Sequence, residues 1–415
     1  MKKNKKNKSR RYNKLPKIEN KKSKNNLLNQ SKPKLEKDDS ELKEKTEMPK
    51  RKSILNNKIK RNDDEDEKVF TDITNEIQAF SGPLKIQFSK NIMNDKPDKY
   101  EYYFIDNTFC VFKSINNIFY LIFSTEKKLG SIIFYNLIDN KIMNEIKNAY
   151  EMHITNFRHY LDNINKRDLL MSLSEFEDIK IWNINNLELI LILKDIYVFW
   201  HVFSSCFFND KNEILIGTST NDCLDDSFIK IFNLKGKKIK ELKDSKSEVY
   251  FIDTYYDKKL KKNYILTCGI SKCISYDYNK NQKYQKYCIR EQFSNPHYSL
   301  VINDSEPDLI KIITCCDAGF IDIWNFHSGE LINNIKIIDD NLISLCLWNF
   351  DYLFVGCRNN IIYLLNLKNN KIIKQLKGHE NPVNTVKKIF IPKYRECLIS
   401  KDFMHTIKLW INKKK

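Results

Sequence analysis

The stretch Thr314-Cys315-Cys316-Asp317-Ala318-Gly319-Phe320-Ile321-Asp322-Ile323-Trp324-Asn325-Phe326 sets the fold. Two runs rich in β-branched and aromatic residues flank an Asp-Ala-Gly turn, which reads as a strand–turn–strand unit. Extended outward, this repeat predicts strands at Leu309–Cys316, Phe320–Phe326 and Leu331–Ile337. Its second half is a hexapeptide of the form apolar-x-apolar-aromatic-Asn-apolar, and that hexapeptide recurs. It appears from Ile132 to Leu137, from Ile179 to Ile184, from Ile229 to Leu234 and from Ile362 to Leu367, in degenerate form from Ile274 to Tyr278, and finally as Ile407-Lys408-Leu409-Trp410. The fourth positions are Tyr135, Trp182, Phe232, Asp277, Trp324, Leu365 and Trp410, separated by 47, 50, 45, 47, 41 and 45 residues. A period of this length marks one supersecondary unit used seven times.

The pattern resembles the WD40 repeats, whose third strand ends in Trp-Asp and whose period is about 40–45 residues. Asn stands here where that family usually has Asp. The family's Gly-His pair appears intact as Gly378-His379, 31 residues before Trp410. The resemblance implies an all-β fold, a seven-bladed β-propeller over 69–415. It also implies a buried hydrogen-bond network in the last repeat among His379, Ser400, Asp402 and Trp410. The other repeats lack most of that set, so apolar packing is expected to hold them, with Trp348 in the core. The chain stops just after the seventh marked strand. A strand from 70–105, either Leu84–Ser89 or Tyr102–Ile105, is therefore expected to supply the missing outer strand and cover the open edge.

Residues 1–68 have a different texture. Residues 1–61 carry 23 Lys and Arg against seven Asp and Glu, with Tyr12 the single aromatic, and an acidic run follows at 63–67. Such a segment buries too little apolar surface to offset its conformational entropy, so a disordered basic tail is expected. The clusters Lys2, Lys3, Lys5, Lys6, Arg10, Arg11 and Lys50, Arg51, Lys52 read as a nuclear import signal or a tether for RNA, DNA or another anionic surface. They read equally as a solvated tail. The whole chain has 71 Lys and Arg against 53 Asp and Glu, a net charge of +18, but only three alanines and nine glycines. That usage follows AT-rich codons, which raise Lys without selection for a partner.

Eleven scattered cysteines without a CxxC pair, after a polar N-terminus, point to free thiols in a reducing compartment, nucleus or cytoplasm, and to no metal site. No apolar run is long enough to span a bilayer. The chain has no phosphate-binding GxxxxGK[ST] loop, no GxGxxG and no GxSxG elbow, so no cofactor and no enzymatic activity are expected. His153 and His159 are conceivable as paired ligands, with a turn-lining or core role favoured. What remains is a protein-binding platform. In the family, partners dock on the face formed by the loops entering each first strand and the turns between second and third strands. That places Glu175, Asp317, Arg358 and Asp402 in turns, and Trp200, His201, Tyr250 and His297 at strand entrances. Arg358, Tyr250 and Trp200 head this set because Arg, Tyr and Trp anchor interfaces, with Trp200 also read as core. The first functional reading is a scaffold in a nuclear or ribonucleoprotein complex. The alternatives are a cytoplasmic scaffold, a ubiquitin-ligase substrate receptor, and a phosphoinositide-binding propeller, the last lacking its Phe-Arg-Arg-Gly motif.

Overall fold

The computed structural model describes residues 86–93 and 109–412, apart from 126–127, 175–177, 195–203, 211–212, 222–226, 244–248, 270–271, 289–295 and 304–308. The basic clusters of 1–68, Glu175, Trp200 and His201 lie outside the described residues. Among those described there is no helix, and the strands form seven four-stranded antiparallel sheets.

Strand β1 (Ile86–Met93) precedes the seven units in sequence. Blade 1 is β2 (Phe109–Lys113), β3 (Phe119–Thr125), β4 (Lys128–Asn136) and β5 (Lys141–Ile146). Blade 2 is β6 (Ile154–Asp162), β7 (Arg167–Ser174), β8 (Ile179–Asn183) and β9 (Glu188–Leu193). Blade 3 is β10 (Ser205–Asp210), β11 (Glu213–Asn221), β12 (Ser227–Asn233) and β13 (Lys238–Lys243). Blade 4 is β14 (Val249–Asp257), β15 (Lys262–Gly269), β16 (Lys272–Asp277) and β17 (Gln282–Cys288). Blade 5 is β18 (Pro296–Asn303), β19 (Ile310–Cys316), β20 (Phe320–Asn325) and β21 (Leu331–Lys336), each end within one residue of the ranges read from sequence. Blade 6 is β22 (Leu342–Asn349), β23 (Tyr352–Cys357), β24 (Ile362–Asn366) and β25 (Lys371–Leu376). Blade 7 is β26 (Val383–Ile391), β27 (Arg395–Asp402) and β28 (Ile407–Asn412), completed by β1. The inner strands β2, β6, β10, β14, β18, β22 and β26 each touch the next, and β26 touches β2. The chain is a seven-bladed β-propeller.

Closure follows from an antiparallel ladder between the two ends of this unit, with Ile86 opposite Asn412 and Phe88 opposite Trp410. The first of the two candidate segments, Leu84–Ser89, overlaps this strand. Without β1, strand β28 would present a row of unpaired N–H and C=O groups to solvent.

Apolar residues fill every junction between blades. Phe112, Phe134, Phe157 and Trp182 lie between blades 1 and 2. Met171, Ile181 and Ile216 join blades 2 and 3, and Phe208, Ile231 and Ile265 join 3 and 4. One larger cluster runs from Phe251 through Trp324 to Leu353, across blades 4, 5 and 6. Trp348 and Trp410 meet between 6 and 7, and Phe109, Phe123 and Leu409 seal 7 against 1. Both faces of each sheet are thus buried, which is why second strands such as β7, with Leu169-Leu170-Met171, and β23, with Leu353-Phe354-Val355, read as near-continuous apolar runs.

The Asn of the hexapeptide has a structural task. Asn136 Oδ1 accepts from Ile138 N (2.8 Å), Asn325 Oδ1 from His327 N (2.9 Å) and Ser328 N (3.0 Å), and Asn366 Oδ1 from Lys368 N (2.8 Å). The side chain closes the turn into the fourth strand as an Asx turn, which Asn and Asp perform alike. In blade 4 that task falls to Asp277, whose Oδ1 accepts from Lys280 N (3.0 Å). The register agrees: Ile265 faces Tyr276 as Leu398 faces Trp410. The fourth mark therefore shifts by one residue, from Asp277 to Tyr276, because Asp277 fills the Asn position of the hexapeptide.

Scarce glycine is offset in the same way. Asn117, Asn140, Asn148, Asn281, Asn360 and Asn370 hold positive φ in turns, the conformation Asn tolerates best after glycine. Gly319 is a position that only glycine fits: at φ 75° a Cβ would fall 1.9 Å from the Ile338 carbonyl oxygen.

Candidate interaction face

The loops entering each first strand and the turns between second and third strands share one face. Its rigidity begins below the surface, in blade 7. Asp402, at the end of β27, accepts from Thr406 N through Oδ1 (2.9 Å) and closes the turn. Its Oδ2 lies 2.9 Å from His379 Nδ1, and His379 Nε2 lies 2.6 Å from Ser400 Oγ. Trp410 Nε1 donates to the same hydroxyl at 2.8 Å. With the ring proton on Nδ1, each donor meets one acceptor: Trp410 to Ser400, Ser400 to His379, His379 to Asp402. All four side chains are buried, so the loop carrying Gly378-His379 is bolted to the sheet beneath it.

The expectation that the other blades rest on apolar packing needs correction in two of them. In blade 2, Tyr150 stands four residues before β6, as His379 stands four before β26. Its hydroxyl donates to the Ser172 carbonyl (2.6 Å) and lies 2.9 Å from Ser172 Oγ, while Trp182 Nε1 donates to Ser172 Oγ (2.8 Å). Lys180 packs over the Tyr150 ring at 4.1 Å. In blade 5, Trp324 Nε1 donates to Thr314 Oγ1 (3.3 Å). The signal was in the sequence as a Ser or Thr ten residues before each hexapeptide Trp, at 172/182, 314/324 and 400/410.

Above this frame, Arg358 occupies the turn between β23 and β24. Its backbone N donates to Asn341 O (3.0 Å), and two residues on Asn360 Nδ2 donates to Glu380 O (2.8 Å), so the turn is fastened to the loops on both sides. The Arg358 side chain is exposed. Among the described residues no carboxylate pairs with it. Asp317 sits half-buried in the turn between β19 and β20. Tyr250 belongs to β14 and His297 to β18, at register-equivalent positions next to the bulges that open these strands. Arg358 thus marks blade 6, Asp317 and His297 mark blade 5, and Tyr250 marks blade 4. His405, in the last turn of blade 7, is held neutral, its pKa pushed down to about 2 by burial and by the charges of Lys401 and His153.

Below the face, the inner strands place Cys110, Arg158, Cys206, Asp253, Leu300, Cys346 and Lys387 at equivalent register positions. Arg158 is spent on protein groups: Nε donates to Ser205 O (3.0 Å), Nη2 to Ile252 O (3.2 Å), and Nη1 lies 3.8 Å from Asp253. Lys387 donates to Tyr298 Oη across the ring at 3.0 Å. Burial pushes the thiols of Cys110 and Cys206 far up and that of Cys346 up to about 11. A thiol held protonated is a poor nucleophile.

The two histidines weighed as ligands do not converge. His153 lies before β6, whereas His159 bonds Asp168 (2.7 Å) and stacks on Phe112 at 3.6 Å between blades 1 and 2. Among the described residues no group of three His, Cys, Asp or Glu could hold a metal ion. Asp168 also accepts from Ile115 N (2.9 Å) and borders a polar pocket of about 320 Å³ on the opposite face, lined in part by Ser114, Tyr120, Asn144 and Asn185. No helix among the described residues is long and apolar enough to cross a membrane.

The chain matches no protein-family model and no curated protein. The propeller and its bonded turns are thus the ground for a functional reading.

Proposed function

We propose that this chain is a non-enzymatic protein-interaction scaffold of the WD40 type, with the propeller spanning 69–415 and docking partners on the face that carries Arg358. Residues 1–68 add affinity for anionic partners, within a nuclear or ribonucleoprotein assembly. β-Propellers commonly serve as interaction scaffolds, but the fold hosts many functions, so the site must carry the argument. The observation that carries it is Arg358: an exposed guanidinium without a carboxylate partner, on a turn fastened at both ends. Such a turn loses little backbone freedom on binding, and Arg is a residue type over-represented at interface hot spots. Asp317, in the corresponding turn of blade 5, extends the surface.

The test is affinity purification with quantitative mass spectrometry, comparing the full chain with its Arg358→Ala variant. Loss of a defined set of partners by about tenfold or more, with Tm within ~1 °C of the parent because the side chain is exposed, supports the reading. An unchanged partner set refutes it for this face.

A further inference from the structure

We propose that the end of blade 4 formed by its β14–β15 and β16–β17 turns, continued along the outermost strand β17, is a binding track for single-stranded nucleic acid. Between residues 249 and 288 the chain carries eight lysines and three aspartates. One of them offsets a lysine: Asp277 lies 3.7 Å from Lys262. Asp257 and Asp277 are buried, and Asp253 is engaged by Arg158 at the inner strand. Three of the lysines (Lys258, Lys259 and Lys261) fill the turn between β14 and β15, Lys262 opens β15, and Lys280 lies in the turn between β16 and β17 at the same end of the sheet. The track then runs up β17 through the exposed Lys283 and Lys286. Lys272, Lys283 and Lys286 line a groove of about 440 Å³ with Tyr284 and Ile274 in its wall. At about 3.3 Å per residue, the seven residues of β17 span roughly 20 Å, enough for several nucleotides.

Codon usage does not explain this distribution, because it acts on the whole chain. The adjoining blade 5, residues 296–336, has two lysines and six acidic residues. Its segment between β18 and β19 carries Asp304, Glu306 and Asp308 where blade 4 has its three turn lysines. Edge protection does not explain it either. Lysines on an outermost strand discourage strand pairing, which accounts for those on β17 as for those on β13 and β25, but not for a lysine-filled turn.

Two rings supply what a phosphate track alone lacks. Tyr256 is half exposed at the end of β14, directly before the lysine turn. Tyr284 lies in the groove with its orientation set: its hydroxyl bonds His327 Nδ1 (2.8 Å) and its ring packs on Tyr264 at 4.8 Å. Lysines along a groove with Tyr284 among them, and a second ring beside the lysine turn, match the recognition of an unpaired strand, whose phosphates need cations and whose bases need π-faces.

The experiment uses the full chain and a fluorescent U20 oligonucleotide across a salt series, with dT20, a 20-base-pair duplex and phosphatidylserine vesicles as parallel probes. One variant combines Lys258→Glu, Lys261→Glu and Lys280→Glu. A control makes the same charge change on blades 6 and 7 with Lys371→Glu, Lys377→Glu and Lys393→Glu. The blade 4 variant is expected to lower the slope of log K against log salt by about 2, at ~0.7 per lost phosphate contact, and to weaken U20 binding at least tenfold more than the control. Photocrosslinking with 4-thiouridine is expected to mark Tyr256 or Tyr284, and Arg358→Ala is expected to leave both results unchanged. Equal losses in the two triple variants, crosslinks confined to residues 1–85, or binding of the vesicles or the duplex in preference to U20 and dT20 would each overturn the proposal.

Discussion

Replacing Ser400 with alanine removes one hydroxyl and disconnects two buried groups. Trp410 Nε1 loses its acceptor at 2.8 Å, and His379 Nε2 loses its partner at 2.6 Å. Each orphaned buried group costs about 1–3 kcal/mol, and neighbours in one network do not add in full, so the expected loss is about 3 kcal/mol. With an unfolding entropy of ~2.1 cal/mol/K per residue over roughly 330 residues, that loss lowers Tm by about 4 °C. The matching change in blade 2 provides an internal control. Ser172→Ala strands only Trp182 Nε1, because the Tyr150 hydroxyl keeps the Ser172 carbonyl as acceptor (2.6 Å) and Lys180 N as donor (3.2 Å). Its expected cost is about half as large, ~1–2 kcal/mol. Calorimetry and urea unfolding of both variants, with Trp410→Phe and the double variant Ser400→Ala/Trp410→Phe, complete a cycle. A coupling of about 1 kcal/mol between Ser400 and Trp410 is expected. Equal costs at Ser400 and Ser172, or a cost at Ser400 below ~0.5 kcal/mol, would show that His379 contributes nothing through this hydroxyl.

Three further outcomes follow from the fold. Deleting residues 1–61 is expected to leave Tm nearly unchanged, whereas deleting 1–93 removes β1 and should abolish the cooperative transition and cause aggregation; equal stability of the two truncations would refute closure by β1. The nine buried free cysteines are expected to resist a thiol-specific disulfide reagent at pH 8 until the protein is denatured. Because burial raises the folded thiols from the ordinary 9.0, to about 11 at Cys346 and about 12 at Cys397, their contribution is fully present below pH 9 and is lost as pH rises from 9 towards 12. Urea unfolding at pH 7.5 and 10.5 checks the sign, and higher stability at 10.5 would contradict it.

Much of the fold was legible because its devices are local. The hexapeptide announces the third strand by alternation, and its Asn closes the next turn within two or three residues, as at Asn325 and His327. Blade 4 escaped by one residue because Tyr276 and Asp277 both suit the marked position by type, and only the ladder opposite Ile265 decides between them. The interaction face was legible only as a list of turns. That Arg358 is exposed without a carboxylate partner, while Arg158 is consumed by Ser205, Ile252 and Asp253, depends on neighbours 47 to 95 residues away.

Period, blade count and turn chemistry were thus determined by the sequence itself, since each repeats a short-range pattern of burial and backbone conformation that neighbouring residues specify. The tertiary structure alone decided three things. It chose β1 over a second eligible segment to pair with β28, put Tyr150 in the place that His379 holds in blade 7, and gathered lysines from two turns and a strand onto one end and the outermost strand of blade 4. Each depends on residues distant along the chain meeting at hydrogen-bond or Coulomb range, and that proximity exists only once the ring has closed.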